Sequence, residues 1–368
     1  MQDLPFNTRV LTRHNNLNFL RFIAAFSVIF SHSFTVSEGS DALGTPLDVI
    51  TQNRLSIGGI AVAFFFLISG ILIAKSCETH SSVRKFFKNR LLRIFPELIF
   101  CVLCSVFILG LCVTTYSFEA YVTSADTYRY LLNICLIPIH ALPGVFENNP
   151  YPHVVNASLW AITAEFICYL FCFGLYKLTH FKHTYMRALN VAVVVFALLY
   201  YVFGSYTMLS FVRALLEFYI GIQIWVYRDK VPLDYRLCLA ACLLCVLLIL
   251  FGYDLAAMLL FFPYLTIWGG WGTKPIFEHF SQKHDYSYSI FLWGFPTEQL
   301  VAYLFVGIPW YGVALLSCVL SLVFAFISVQ VISFVEQNIK SCICLLYTSD
   351  AADDMQCVDL GGRRIIKK

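Results

Sequence analysis

The stretch NFLRFIAAFSVIFSHSF, residues 18–34, decides the reading of this chain. It is apolar enough and long enough to cross a bilayer, yet it carries Arg21 and His32. An arginine at the centre of a spanning helix costs roughly 2.5–3.5 kcal/mol on insertion scales, so such residues call for a reason. The two are 11 positions apart. At about 100° per residue they return to nearly the same helix face, separated along the axis by roughly 16 Å. Two explanations fit that spacing: a pair of functional side chains on one face, or an Arg and a His that snorkel to opposite interfaces.

Outward from this stretch the same character persists. Of 368 residues, 59% are hydrophobic and 13% charged, with 35 Phe and 21 Tyr, and the mean hydropathy is +0.74. A soluble domain carries about 25% charged residues. Because the apolar runs are continuous rather than alternating, the expected fold is all-α, a polytopic transmembrane helical bundle. Ten spans are expected, at 17–36, 57–75, 94–114, 156–176, 188–204, 206–227, 237–251, 253–272, 286–306 and 310–335, with residues 1–16 forming a cytoplasmic N-terminal segment and 17–340 the membrane domain. No cleavable signal peptide is evident. The final stretch from 345 to 368, abruptly polar and aperiodic, reads as non-native read-through and is set aside.

Charge orients the bundle. With both termini cytoplasmic, the inside segments hold 17 Lys and Arg before the tail, and the outside segments only Arg54 and Arg129. That asymmetry obeys the positive-inside rule. The net charge of +3 gives no indication of nucleic acid binding. Most of the 14 Cys lie inside apolar runs, where Cys acts as a small hydrophobe, and none has metal-binding spacing, so no metal is expected.

Four constellations stand out. Histidine suits proton transfer near neutrality, so His32 is a candidate base, with Arg21 placed to hold an anionic donor entering from the other side. In AVAFFFLISGILIAKS (61–76), Ser69 and Gly70 interrupt large residues, which suits close approach by a ligand or simply by a neighbouring helix. In SSVRKFFKNRLLRIFPE (81–97), Arg90 and Arg93 share a face just before Pro96, which is expected to open the next span. Guanidinium groups there match phosphate geometry, or else anchor the helix at anionic lipid. In ASLWAITAEFICYL (157–170), Glu165 is expected near the depth of His32, as an orienting partner or a structural salt bridge. Arg213 and Glu217 are spaced i, i+4 and are expected to pair with each other. The outer loop that ends in FENNPYPHVVNAS (146–158) either lines a substrate rim or caps the bundle.

In this order the motifs resemble the integral-membrane acyltransferase family 3. LRFIAAFSVIFSH (20–32) is similar to its first-helix Arg and His. FFFLISGILI (64–73) is similar to its Phe-rich run ending in Ser-Gly, and RLLRIFP (90–96) to its Arg-x-x-Arg-Ile-x-Pro signature. SLWAITAEF (158–166) resembles its Trp-x-x-x-x-Glu motif, and YSYSIFLWGFP (286–296) its late signature. One position departs: the late motif often has His after Trp293, and here Gly294 stands there, as in members acting on O-antigen or exopolysaccharide.

The resemblance implies transfer of an acyl group, most often acetyl, from acyl-CoA to a hydroxyl of a lipopolysaccharide or other surface or lipid-linked carbohydrate. Acetyl-CoA is then a co-substrate reached from the cytoplasm, the acceptor lies at the outer face of the inner membrane, and no cofactor or metal is bound. Carried over, His32, Arg21 and Glu165 are catalytic candidates. Arg90, Arg93, Ser69 and Gly70 are donor-binding candidates, and Trp160, Tyr288 and Trp293 are supporting ones. A transporter or flippase for lipid-linked sugars is the competing reading, with the intramembrane charges lining a pathway. Such transporters commonly contain internal repeats, and none is visible here.

Overall fold

The computed structural model describes residues 5–350 except 13, 41, 80–81, 204–208 and 282–283. Residues 351–368, most of the expected read-through tail, lie outside the described residues. Among those described the chain is all-helical, with no strand.

Eleven helices carry the architecture: α1 Leu17–Glu38, α2 Ile57–Thr79 and α3 Val83–Val113; α4 Leu159–Thr179, α5 His183–Phe203 and α6 Leu209–Val226; α7 Tyr235–Leu250, α8 Asp254–Leu260 and α9 Phe262–Gly272; α10 Ser287–Leu304 and α11 Trp310–Asp350. This is a membrane protein. Among the described residues, six helices are long and apolar enough to cross a bilayer, and seven if α8 and α9, bent by 43° at their junction, count as one broken span.

The count of ten spans is therefore not established, although every expected span is represented by helix. Helix α7 has 16 residues, about 24 Å at 1.5 Å per residue, short of a hydrocarbon core of about 30 Å. Helices α6 and α10 are 18 residues long and carry Arg213 and Glu217, and Glu298 and Gln299, in their interiors. Pro96 was expected to open a span, but it sits inside α3, which runs on unbroken from the basic patch. A membrane helix tolerates the lost amide bond when neighbours satisfy the freed carbonyl. Further along, α3 widens into a π turn at Ser105–Gly110, where the Tyr121 hydroxyl donates to the Val106 carbonyl at 2.9 Å.

Helix α2 lies at the centre, against α1, α4 and α6, and α10 packs between α1 and α11. Helices α2 and α6 approach closely where they cross. A Cβ on Gly70 would strike the Phe218 carbonyl, and one on Gly221 would strike the Leu67 carbonyl. Two facing glycines let the backbones touch, which is how membrane helices gain packing energy without a hydrophobic drive between them. Gly70, expected at the donor site, is thus occupied by helix packing. Helix α5 is at the other extreme, with Val191, Val194, Leu198 and Val202 exposed along it as a lipid-facing surface requires.

The loop 146–158 packs onto α10. Asn149 Nδ2 donates to the Gln299 backbone carbonyl (2.9 Å) and to its side-chain Oε1 (2.8 Å). Gln299 Nε2 donates in return to the carbonyls of Tyr151 (2.8 Å) and Val154 (2.7 Å). The loop is clamped to α10, and its last residue, Ser158, lines a cavity.

Candidate active site: two chambers on one helix face

Helix α1 presents Arg21 to one chamber and His32 to another, so neither side chain needs a lipid-facing explanation. The first chamber is narrow, about 40 Å³. Five helices converge on it, bringing together Arg21 from α1, Ser69 from α2, Arg93 from α3, Glu165 from α4 and Tyr288 from α10. These were separate motifs in the sequence. Glu165 Oε1 accepts from Ser69 Oγ at 3.1 Å and from the Tyr169 hydroxyl. The Tyr288 hydroxyl donates to the Ile94 carbonyl at 3.1 Å, fastening α10 to α3 beside Arg93.

Arg90 does not line this chamber. One turn before Arg93, it lies with its guanidinium 6.0 Å from the centre of the Tyr169 ring. The sequence missed Asp285. Its Oδ2 is 2.7 Å from Arg21 Nη1 and 3.7 Å from Arg93 Nη2, so a single carboxylate bridges the two arginines. Its Oδ1 accepts from the amide and the hydroxyl of Ser287, at 3.1 and 2.6 Å, an Asx-type turn that opens α10. Burial would raise this carboxyl, but Arg21, Arg93 and the Ser287 bonds outweigh it and hold it below the usual carboxylate range. The signal in the sequence was an Asp two residues before a Ser at a helix start.

The second chamber is larger, about 420 Å³. His32, Ser31, Ser158, Trp160 and Arg213 line it, together with the first turn of α2. Glu165 was expected beside His32 and is not there. Trp160 and Glu165 are five residues apart, which turns their directions by about 140° on a helix. Trp160 therefore faces the His32 chamber and Glu165 the arginine chamber.

The carboxylate beside the imidazole is Glu298 of α10, whose Oε2 lies 3.7 Å from His32 Nδ1. Glu298 is fully buried. Both of its oxygens, and His32 Nδ1, lack a hydrogen-bond partner among the described residues. An intramembrane glutamate in an otherwise apolar helix was the available clue. Phe295 meets the imidazole edge-on at 5.3 Å.

Trp293 lines neither chamber. Its indole donates to Ser328 Oγ at 2.8 Å and stacks on Phe324, which locks α10 to α11. Gly294 abuts Ile29, where a Cβ would come within 2.9 Å of Cγ1, so the missing histidine would have no room. The expected Arg213–Glu217 ion pair is not formed among the described residues. The guanidinium turns into the His32 chamber, and the Glu217 carboxylate is buried without a hydrogen-bond partner among the described residues.

The chambers share a wall. Val62, Ala161 and Phe291 line both, so only apolar side chains stand between the two-arginine chamber and the imidazole. The arrangement offers cations for an anionic group on one side, a proton acceptor on the other, and an apolar partition between them.

The family model for an acyltransferase-3 domain matches residues 14–330. An O-acetyl transferase of Shigella phage Sf6 is 33% identical over 159 residues, which is 43% of this chain and 44% of that protein. Nodulation protein 10 of Rhizobium leguminosarum bv. viciae is 34% identical over 174 residues, 45% of each chain. The acyltransferase MdmB of Streptomyces mycarofaciens is 28% identical over 165 residues, 44% of this chain and 38% of that protein. The matches thus span less than half the length of these relatives. No solved structure matches. The family match covers most of the chain and takes in both chambers, and the chain belongs to the acyltransferase-3 family.

Proposed function

We propose that this protein transfers an acyl group, acetyl in the first instance, from acyl-CoA to a hydroxyl of a cell-surface or lipid-linked carbohydrate. The observation that carries the reading is the shared Val62–Ala161–Phe291 wall, with Arg21 and Arg93 behind it and His32 in front. The acetyl group and an oxygen acceptor are favoured by the similarity to the O-acetyl transferase of Shigella phage Sf6. On this reading the protein sits in the inner membrane with both termini cytoplasmic. The donor enters from the cytoplasm and the acceptor, an O-antigen or exopolysaccharide sugar, from the outer face.

In the proposed step, Arg21 and Arg93 hold the donor's anionic portion and the acyl end passes the partition. Glu298 faces Nδ1 of His32 and leaves Nε2 to accept the hydroxyl proton. The sugar oxygen bonds to the thioester carbonyl carbon, the carbon–sulfur bond breaks, and the proton passes from Nε2 to the departing thiolate. The products are an O-acyl sugar and free CoA. Arg213 and the Ser158 hydroxyl lie on the acceptor side of the partition.

The test uses membranes containing the full chain, acyl-labelled acetyl-CoA and a panel of host glycans, with His32→Ala at matched protein level. Label in glycan that depends on His32 supports the reading. Equal label in the two proteins removes His32 as the base. No label from any acyl-CoA to any glycan, with the protein folded, rejects acyl transfer in favour of a transport role.

A further inference from the structure

The acceptor-side chamber contains a feature that the transfer step does not use. Helix α2 begins in its wall. Ser56 caps the helix, its hydroxyl accepting from the Gly59 amide at 2.9 Å, and the next two wall residues are Gly58 and Gly59. The first amides of any helix lack intrahelical acceptors and carry the positive end of its dipole. The glycines let neighbours close in on this end: the Gly59 amide is taken by the Ser56 cap and Gly58 packs on Ser31, so what the helix offers the chamber is the positive end of its dipole. Arg213 reaches the same point from α6, with Nη2 so close to Gly59 that a Cβ there would clash with it.

Arg213 is 5% exposed and lines the chamber. Among the described residues it has no ion-pair or hydrogen-bond partner. Glu217, one turn further on, and Asp254, which Arg54 holds at 2.6 Å, act on its charge from a distance, but neither contacts it. No Asp or Glu lines the chamber among the described residues. A buried guanidinium facing a cavity beside a helix N-terminus is stabilised by an anion.

We propose that the first turn of α2 and Arg213 form an anion subsite in the His32 chamber, and that the acceptor is an acidic glycan whose carboxylate or phosphate docks there. The inference rests on the acyl-transfer reading for the nature of the ligand, and on the geometry for the site. Trp160 supplies an aromatic face on the same chamber for the sugar ring. The anionic group would be held by Arg213, with the positive end of the α2 dipole beside it, while a hydroxyl of the same or the next residue is presented to His32. Neutral acceptors would leave the cation unsatisfied and bind less well.

The test is direct binding to the detergent-purified full chain, which needs no turnover. The probes are a glucuronate-containing oligosaccharide, its carboxyl-reduced neutral counterpart and a sugar 1-phosphate. Wild type is expected to bind the charged form at least about tenfold more tightly than the reduced one, in line with a charge-assisted hydrogen bond. Arg213→Gln should abolish the preference, and Arg213→Lys should keep part of it. Preference for the phosphate over the uronate assigns the anion to a sugar phosphate, and the reverse assigns it to a carboxylate. Equal binding of charged and reduced probes by wild type overturns the subsite, a comparison that does not depend on whether Arg213→Gln folds. The label assay separates the two readings. Transfer that depends on His32 but ignores acceptor charge leaves acyl transfer standing and removes the subsite. Charge-selective binding with no transfer to any acceptor does the opposite.

Discussion

His32 Nδ1 and Glu298 Oε2 lie 3.7 Å apart in a buried setting, and neither atom has a hydrogen-bond partner among the described residues. The gap is slightly too long for a hydrogen bond. Catalytic contacts of this kind often shorten once substrate is bound. Glu298→Gln keeps the shape but removes the charge that would steady an imidazolium. It is expected to lower the transfer rate by roughly 100-fold or more, within the range of general-base effects. The KM for acyl-CoA should stay within a few-fold, because the arginine chamber is untouched. A comparable rise in KM would assign Glu298 to donor binding instead.

Ala161 is the smallest residue of the partition between the chambers. Ala161→Leu adds bulk where the acyl end must pass. Transfer should fall at least tenfold, by about 1.4 kcal/mol or more of added barrier. Binding of desulfo-CoA or free CoA should change little. If larger acyl groups suffer no more than acetyl, Ala161 does not gate the passage.

Gly70→Ala tests the α2–α6 crossing. The added methyl meets a backbone carbonyl that cannot swing aside. A cost of about 1–3 kcal/mol is expected from overpacking, and more if the helices part. Fluorescence-detected size exclusion after mild heating should show earlier loss of the monodisperse peak. The neighbouring Ser69→Ala, which removes one donor to Glu165, should leave that stability nearly unchanged while affecting donor binding.

Asp285 gives a pH dependence with a definite sign. Its carboxyl is held below its unfolded value of about 3.9, so the native state binds fewer protons than the unfolded one. The stabilisation is fully present above that value and is lost as pH falls through the lower native one. Heat stability in detergent should therefore stay flat through pH 5 on account of this group and decline only in strongly acid solution. Asp285→Asn should remove that part of the acid decline. It should also weaken acyl-CoA binding, because two guanidinium groups lose the carboxylate that holds them together.

Much of this was legible in the sequence. The helical class followed from apolar run length, and Arg21, Arg93, Glu165 and Tyr288 were each singled out by their motifs, though not as one cluster. Arg21 and His32 were correctly placed on one face because helix periodicity fixes direction over three turns. What failed needed relations between helices. Glu165 was paired with His32 on the strength of estimated depth, whereas α4 points it into the other chamber. Arg213 looked satisfied by Glu217 because spacing reports neighbours along a helix and says nothing about a cavity opposite. Glu298 and Asp285 come near Arg or His only through the packing of α10 on α1 and α3. Ten spans are not established, because hydropathy does not see that α7 is short or that α8 and α9 bend at their junction.

The clamp between loop 146–158 and α10 has a mechanical consequence. Gln299, which carries four of its hydrogen bonds, directly follows Glu298 in the chain. The carboxylate facing the imidazole is thus indexed to the rim of the molecule as well as to its core. On the proposed reading, a carbohydrate that pressed on the loop would push on the same peptide that sets the Glu298–His32 gap. Recognition at the surface and the alignment of the proton acceptor share one lever arm a single residue long.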